Sequence, residues 1–120
     1  MRNVALVLVA LLLLATAAQA ELKKVSSSDP GTKGALRFPG HPTLFVGATP
    51  EALDEFMKYA RAGDNYGTAL LLKSGHVLEV KNGTPALIID SSWTMFRVRV
   101  TAGQHRGAAV WVHRMFLYEE

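Results

Sequence analysis

The sequence contains no cysteine. That absence excludes thiol nucleophiles, thiolate metal sites and disulfide staples, and it rules out acylation of a lipoprotein cysteine. The domain must hold together by packing alone. Net charge is also scarce: 13 Lys and Arg stand against 10 Asp and Glu, a formal balance of +3. So small an excess gives no argument for nucleic acid or an anionic membrane as partner, despite a nominally high pI.

Catalytic patterns are missing as well. His41, His76, His105 and His113 show no metal-ligand spacing, such as two histidines four apart on a helix. Ser26, Ser27, Ser28, Ser74, Ser91 and Ser92 fall in irregular or turn sequence, none within a nucleophile elbow. The glycines are too scattered for a phosphate loop. Glu51, Asp54 and Glu55 are better explained as acids complementing the positive end of a helix than as a catalytic pair. The expectation is no catalytic residue, no metal and no cofactor, hence not an enzyme.

What is present begins with an export signal. Met1-Arg2-Asn3 is a short positive region, Val4 to Leu14 is an uninterrupted apolar run, and Ala18-Gln19-Ala20 puts small residues at the cleavage-critical positions. The stretch from Val4 to Ala18 is shorter than the roughly 20 residues a membrane-spanning helix needs. The expectation is a signal peptide over residues 1–20, no stable membrane insertion after its removal, and a mature chain outside the cytoplasm. About 100 residues then remain, enough for one domain with a modest core.

Residues 21–42 read as a flexible tether, because Ser26 to Gly31 and the Gly34, Pro39, Gly40 and Pro42 punctuation leave little to bury. Leu36 and Phe38 are its candidates for docking, and Thr43 to Val46 is a short apolar run. Thr49 then suits an N-cap and Pro50 a first helical position. Leu53, Phe56, Met57 and Ala60 recur at helical spacing until Gly63. Asp64 can cap a second, shorter helix that Gly75 ends.

From His76 the period becomes two. Leu78 and Val80 alternate with their neighbours, and Asn82-Gly83 predicts a tight hairpin turn. That turn also explains Asn82-Gly83-Thr84, which matches a glycosylation sequon. A second strand covers Thr84 to Asp90, with Pro85 near its opening. A third, Met95 to Thr101, sets Phe96, Val98 and Val100 against Arg97, Arg99 and Thr101. Ala108 to His113 is a fourth, and Leu117-Tyr118 a short fifth. Ala86 and Ile88 on one side of the second strand, with Leu87 and Ile89 on the other, predict that the helices cover it. The fold class expected is α+β: a five-stranded curled sheet or barrel over about residues 76–120, preceded by two short helices. Residues 43–120 would form one cooperative unit.

Arg97-Val98-Arg99-Val100, then Gly103 and Gly107, then Trp111-Val112 and Leu117 resembles bacterial SH3-like domains. Their closing half commonly reads as an alternating strand, a glycine-bounded loop, a Gly-Trp-Val strand, a short turn and a last apolar strand. The resemblance spans roughly His76 to Tyr118, and more loosely Pro50 to Gly75. Val110 stands where that pattern usually has glycine, and Trp93 precedes its strand by more residues than usual. The resemblance implies a small five-stranded barrel in an exported protein, with the bacterial periplasm as compartment. Peptidoglycan binding is known for some relatives.

One surface combines the residue types enriched in binding hot spots. Arg97 and Arg99 share a strand face, Trp111 lies outward on the neighbouring strand by the same alternation, and Trp93 precedes Arg97 in a loop. Trp93, Arg97, Arg99 and Trp111 are therefore the candidate binding residues. The expected function is a non-catalytic, periplasmic or secreted module binding a protein, peptide or cell-wall component. The rivals are an accessory subunit docking a larger exported partner, and a small hydrolase or hydrolase inhibitor.

Overall fold

The computed structural model describes residues 22–120. The expected signal peptide lies outside them. In chain order the elements are β1 (Lys33–Leu36), β2 (Thr43–Gly47), α1 (Pro50–Arg61), α2 (Asn65–Lys73), β3 (Val77–Lys81), β4 (Thr84–Ser91), β5 (Met95–Val100), β6 (Ala109–His113), a single 3-10 turn (Arg114–Phe116) and β7 (Leu117–Tyr118).

Both helices begin where their caps place them. Thr49 Oγ1 accepts the Ala52 N–H at 3.1 Å, with Pro50 at the first helical position. Asp64 Oδ1 accepts the Gly67 N–H at 2.9 Å to open α2. Gly63 and Gly75 follow the helix ends with φ of 70° and 78°, the left-handed conformation that glycine adopts without a Cβ penalty.

Among the described residues the strands form one antiparallel sheet of seven in the order β3-β2-β6-β5-β4-β1-β7. This corrects the expected five-stranded barrel in count and in closure. The edge strands β3 and β7 do not pair, so the sheet curls without closing. The curl is evident in the core. Val80 of β3 and Leu117 of β7 belong to the same buried cluster as Leu36, Leu44, Val46, Ile88, Phe96, Val98, Val100, Val110 and Val112. Burying one such side chain contributes roughly 1.5–3 kcal/mol, so this cluster is the main source of stability.

Three further expectations need correction. Residues 33–36 are not tether: β1 pairs with β4 and β7, and Ala35 and Leu36 are buried. Gly34 permits this, since a Cβ there would lie 2.8 Å from the Tyr118 carbonyl oxygen and 3.0 Å from the Leu117 side chain. Asn82-Gly83 turns the chain but makes no hairpin, because β3 pairs with β2 while β4 pairs with β1 and β5. The Asn82 amide instead donates to the carbonyls of Phe38, at 3.2 Å, and His41, at 2.8 Å, pinning the β1–β2 link.

Nor do the helices precede the sheet or lie over β4. They are inserted between β2 and β3 and pack on β2, β3 and β6. There Ala52, Phe56 and Val77 make a second buried cluster with Phe45, Leu71 and Leu72 against it, the Phe45 and Phe56 rings 4.6 Å apart. Leu87 and Ile89 are consequently only half-buried, and the β4–β5 register shifts between Ile88 and Asp90.

Candidate functional site

Strand alternation sorts β5 as the sequence predicts. Val98 and Val100 are 0% and 1% exposed in the core, whereas Arg97 and Arg99 are exposed on the outer face. The register aligns their neighbours into rows. Arg97 is paired with Trp111 on β6 and Asp90 on β4, and Trp111 is in turn paired with Gly47 on β2. Arg99 is paired with Ala109 and Leu87, and Leu87 with Lys33 on β1. The outer face therefore carries Arg97, Arg99 and Lys33 among Trp111, Leu87 and Ala109. Asp90 is its one acid within these rows.

The helices divide this face. Over Gly47 there is no room for a side chain: a Cβ would lie 2.6 Å from the Thr49 carbonyl oxygen and 2.8 Å from Leu53 Cβ. Helix α1 thus begins directly above the β2 end of the Trp111 row. Trp111 is half-buried at this border, and Arg97 and Arg99 lie beyond it in solvent. Trp111 offers flat apolar area there, and the two guanidiniums can pair carboxylates. Arg99 is already partly engaged, donating from Nη1 to the Gly107 carbonyl at 2.8 Å.

Trp93 is placed elsewhere. It occupies the tip of the β4–β5 turn with 96% of its surface exposed. The Ser92 N–H donates to the Met95 carbonyl at 2.8 Å to close that turn. Arg114, which sequence reasoning missed, fastens it: the guanidinium donates to the Ser92 carbonyl and to Ser28 Oγ at 2.9 Å. Its Cζ lies 4.6 Å from the centre of the Phe96 ring. The structure therefore unites Arg97, Arg99 and Trp111 and leaves Trp93 apart on a braced turn. Asp90, the cross-strand partner of Arg97, was also missed; the bulge at Ile89 changes the strand's alternation and brings Asp90 opposite.

Other chemistry is sparse. Ser74 Oγ and His76 Nδ1 are hydrogen-bonded across the α2–β3 turn, where both residues are exposed. Ser74 Oγ also lies 3.1 Å from the Leu71 carbonyl, to which it can donate. These contacts close the C-terminal end of α2. Tyr59 donates to Glu55 Oε1 at 2.8 Å. This hydrogen bond, the Glu55 charge, slight desolvation and the Asp64 charge hold its ionisation above the usual tyrosine value. Among the described residues no three His, Asp or Glu side chains are grouped to hold a metal ion, and no helix is long and apolar enough to cross a membrane. An open cleft of about 220 Å³ lies between β3 and the β5–β6 loop, lined by Glu79, Lys81, Thr84, Gln104 and His105 among others. Compared with known proteins, the chain matches no family model, no curated protein and no solved structure.

Proposed function

We propose that the protein is a non-catalytic, extracytoplasmic SH3-like module that binds a protein, a peptide or a cell-wall component. The observation that carries the reading is the direct pairing of Arg97 with Trp111 on the uncovered half of the outer sheet face. A ligand carboxylate on Arg97, with apolar area laid on Trp111, is the contact such a pair favours. Trp93 would extend the contact from the sheet's rim.

The SH3-like part of the proposal draws support from element order. An alternating strand, a loop bounded by Gly103 and Gly107, a Trp-bearing strand, a one-turn link and a last apolar strand follow one another from β5 to β7. The small size and the apolar core enclosed by the curled sheet suit a binding module. Export rests on the sequence of residues 1–20, and the absence of a catalytic role on the missing constellations.

Capture from the cell envelope and binding to purified sacculi test the proposal together. Arg97→Ala with Arg99→Ala should reduce capture while leaving thermal unfolding unchanged. Trp93→Ala, made separately, reports whether the turn takes part. Undiminished capture by all three changes together would remove this face as the site.

A further inference from the structure

We propose that β3 is a self-complementary edge through which two copies of this chain join their sheets. The two ends of the sheet are finished differently. Beyond β7 the chain covers its own edge: Val25 N–H donates to the Leu117 carbonyl at 3.0 Å, Glu119 N–H to the Lys23 carbonyl at 2.7 Å, and Lys24 bridges Tyr118. At the other end β3 is outermost among the described residues. The β5–β6 loop stands off it across the 220 Å³ cleft, and the backbone bonds of that loop close within itself, onto Val100 and, through the Thr101 N–H, onto the Pro85 carbonyl of β4.

The hydrogen-bond parity of β3 identifies which groups are free. Ala48 N–H donates to the His76 carbonyl at 2.8 Å, and Asn82 N–H to the Pro42 carbonyl at 2.9 Å, so the even-numbered residues bond toward β2. The N–H and C=O groups of Val77, Glu79 and Lys81 therefore point away from the sheet. The Lys81 carbonyl accepts the Thr84 hydroxyl, which leaves it a second lone pair.

An antiparallel second copy centred on Val80 satisfies these groups and the side chains in one register. Glu79 then lies opposite the partner's Lys81, and Lys81 opposite the partner's Glu79, both as hydrogen-bonded pairs. Charges on an edge strand ordinarily repel an incoming strand. Here the two-fold register converts them into attraction. Centring the pair on Glu79 would set two carboxylates face to face, so the charges also select the register.

The same two-fold keeps the outer faces on one side. Helix α2, which packs on β3 and α1 while α1 reaches to β6, is the helix nearer this edge. It leaves Tyr66 at 76% and Leu70 at 49% exposure, one helical turn apart. A second copy brings its own α2 to the same side of the joined sheets and supplies an apolar neighbour.

Sedimentation velocity on the protein purified as the cell accumulates it should find a reversible dimer. Glu79→Lys and Lys81→Glu each replace attraction with repulsion at both pairs, and each should weaken self-association about tenfold or more. Mixing the two variants recreates opposite charges at every pair, so the mixture should dimerise where neither variant does alone. Circular dichroism confirms that each variant is folded before mixing. A monomeric wild type, a dimer indifferent to both charge reversals, or a mixture that stays monomeric would each overturn the proposal.

Discussion

Replacing Gly47 by alanine tests the division of the sheet face at its narrowest point. The new Cβ would lie 2.6 Å from the Thr49 carbonyl oxygen, 2.8 Å from Leu53 Cβ and 3.1 Å from the Leu53 nitrogen. None of these is the far end of a flexible side chain, so the strain cannot be relieved by a rotamer change. Either β2 must retreat from β6, to which Gly47 is paired opposite Trp111, or the first turn of α1 must lift. Lifting α1 strains the Thr49 cap, whose Oγ1 holds the Ala52 N–H. Overpacking costs about 1–3 kcal/mol and a weakened cap about 1 more, giving an expected loss of about 2–4 kcal/mol. Chemical denaturation followed by Trp111 fluorescence, in a Trp93→Phe background, measures both the loss and any change at the β2–β6 border. Leu53→Ala retains its Cβ and should give no rescue when combined with Gly47→Ala. A change within about 0.5 kcal/mol, or a rescue by Leu53→Ala, would refute this account of how the helix sits on the sheet.

Three further outcomes are expected. Val98→Ala should cost on the order of 1–3 kcal/mol in thermal unfolding, against about 0.5 kcal/mol or less for Arg97→Ala or Arg99→Ala; the reverse order would overturn the β5 register. Arg114→Ala should destabilise by about 1–2 kcal/mol and loosen the Ser92–Met95 turn, seen as faster amide exchange at Met95 and broader resonances for Trp93. In an alkaline titration followed by phenolate absorbance, Tyr59 should ionise above the usual tyrosine value, and Glu55→Gln should bring it back down. The pKa is raised on folding, so whatever stability this contact gives is complete below the ordinary tyrosine pKa and fades as pH rises through the raised one.

What was legible in the sequence was local. The helix starts at Thr49 and Asp64 could be read because a capping oxygen acts only two or three residues along the chain. Met95 to Val100 could be read because one face meets a core and the other meets water, and that contrast is written into alternate residues. The union of Arg97, Arg99 and Trp111 followed from the same alternation on strands joined by a short loop. What was not legible depended on distant partners. β1 is only four residues long, set in glycine and proline punctuation, and is a strand because Leu87 and Tyr118 lie beside it. Arg114 reaches Ser28 across 86 positions, so no local pattern marks it. Asn82-Gly83 carried the signal of a hairpin, yet its flanking strands diverge. Turn chemistry specifies a reversal of direction and leaves open which strands then pair.

That divergence explains how so small a chain presents two different surfaces. β3 pairs with β2, and the link between these two antiparallel neighbours carries α1 and α2, which pack on the outer face. They cover Val77, the α1 face of Gly47 and part of Phe45 at one end of the sheet. They stop at Trp111, so Arg97, Arg99 and Asp90 stay in water with a half-buried indole at their border. The proposed ligand face and the β3 edge, outermost among the described residues, are separate parts of one sheet. They lie at different places on the sheet, so charge reversal at Glu79 or Lys81 should alter self-association while leaving capture through Arg97 and Arg99 intact.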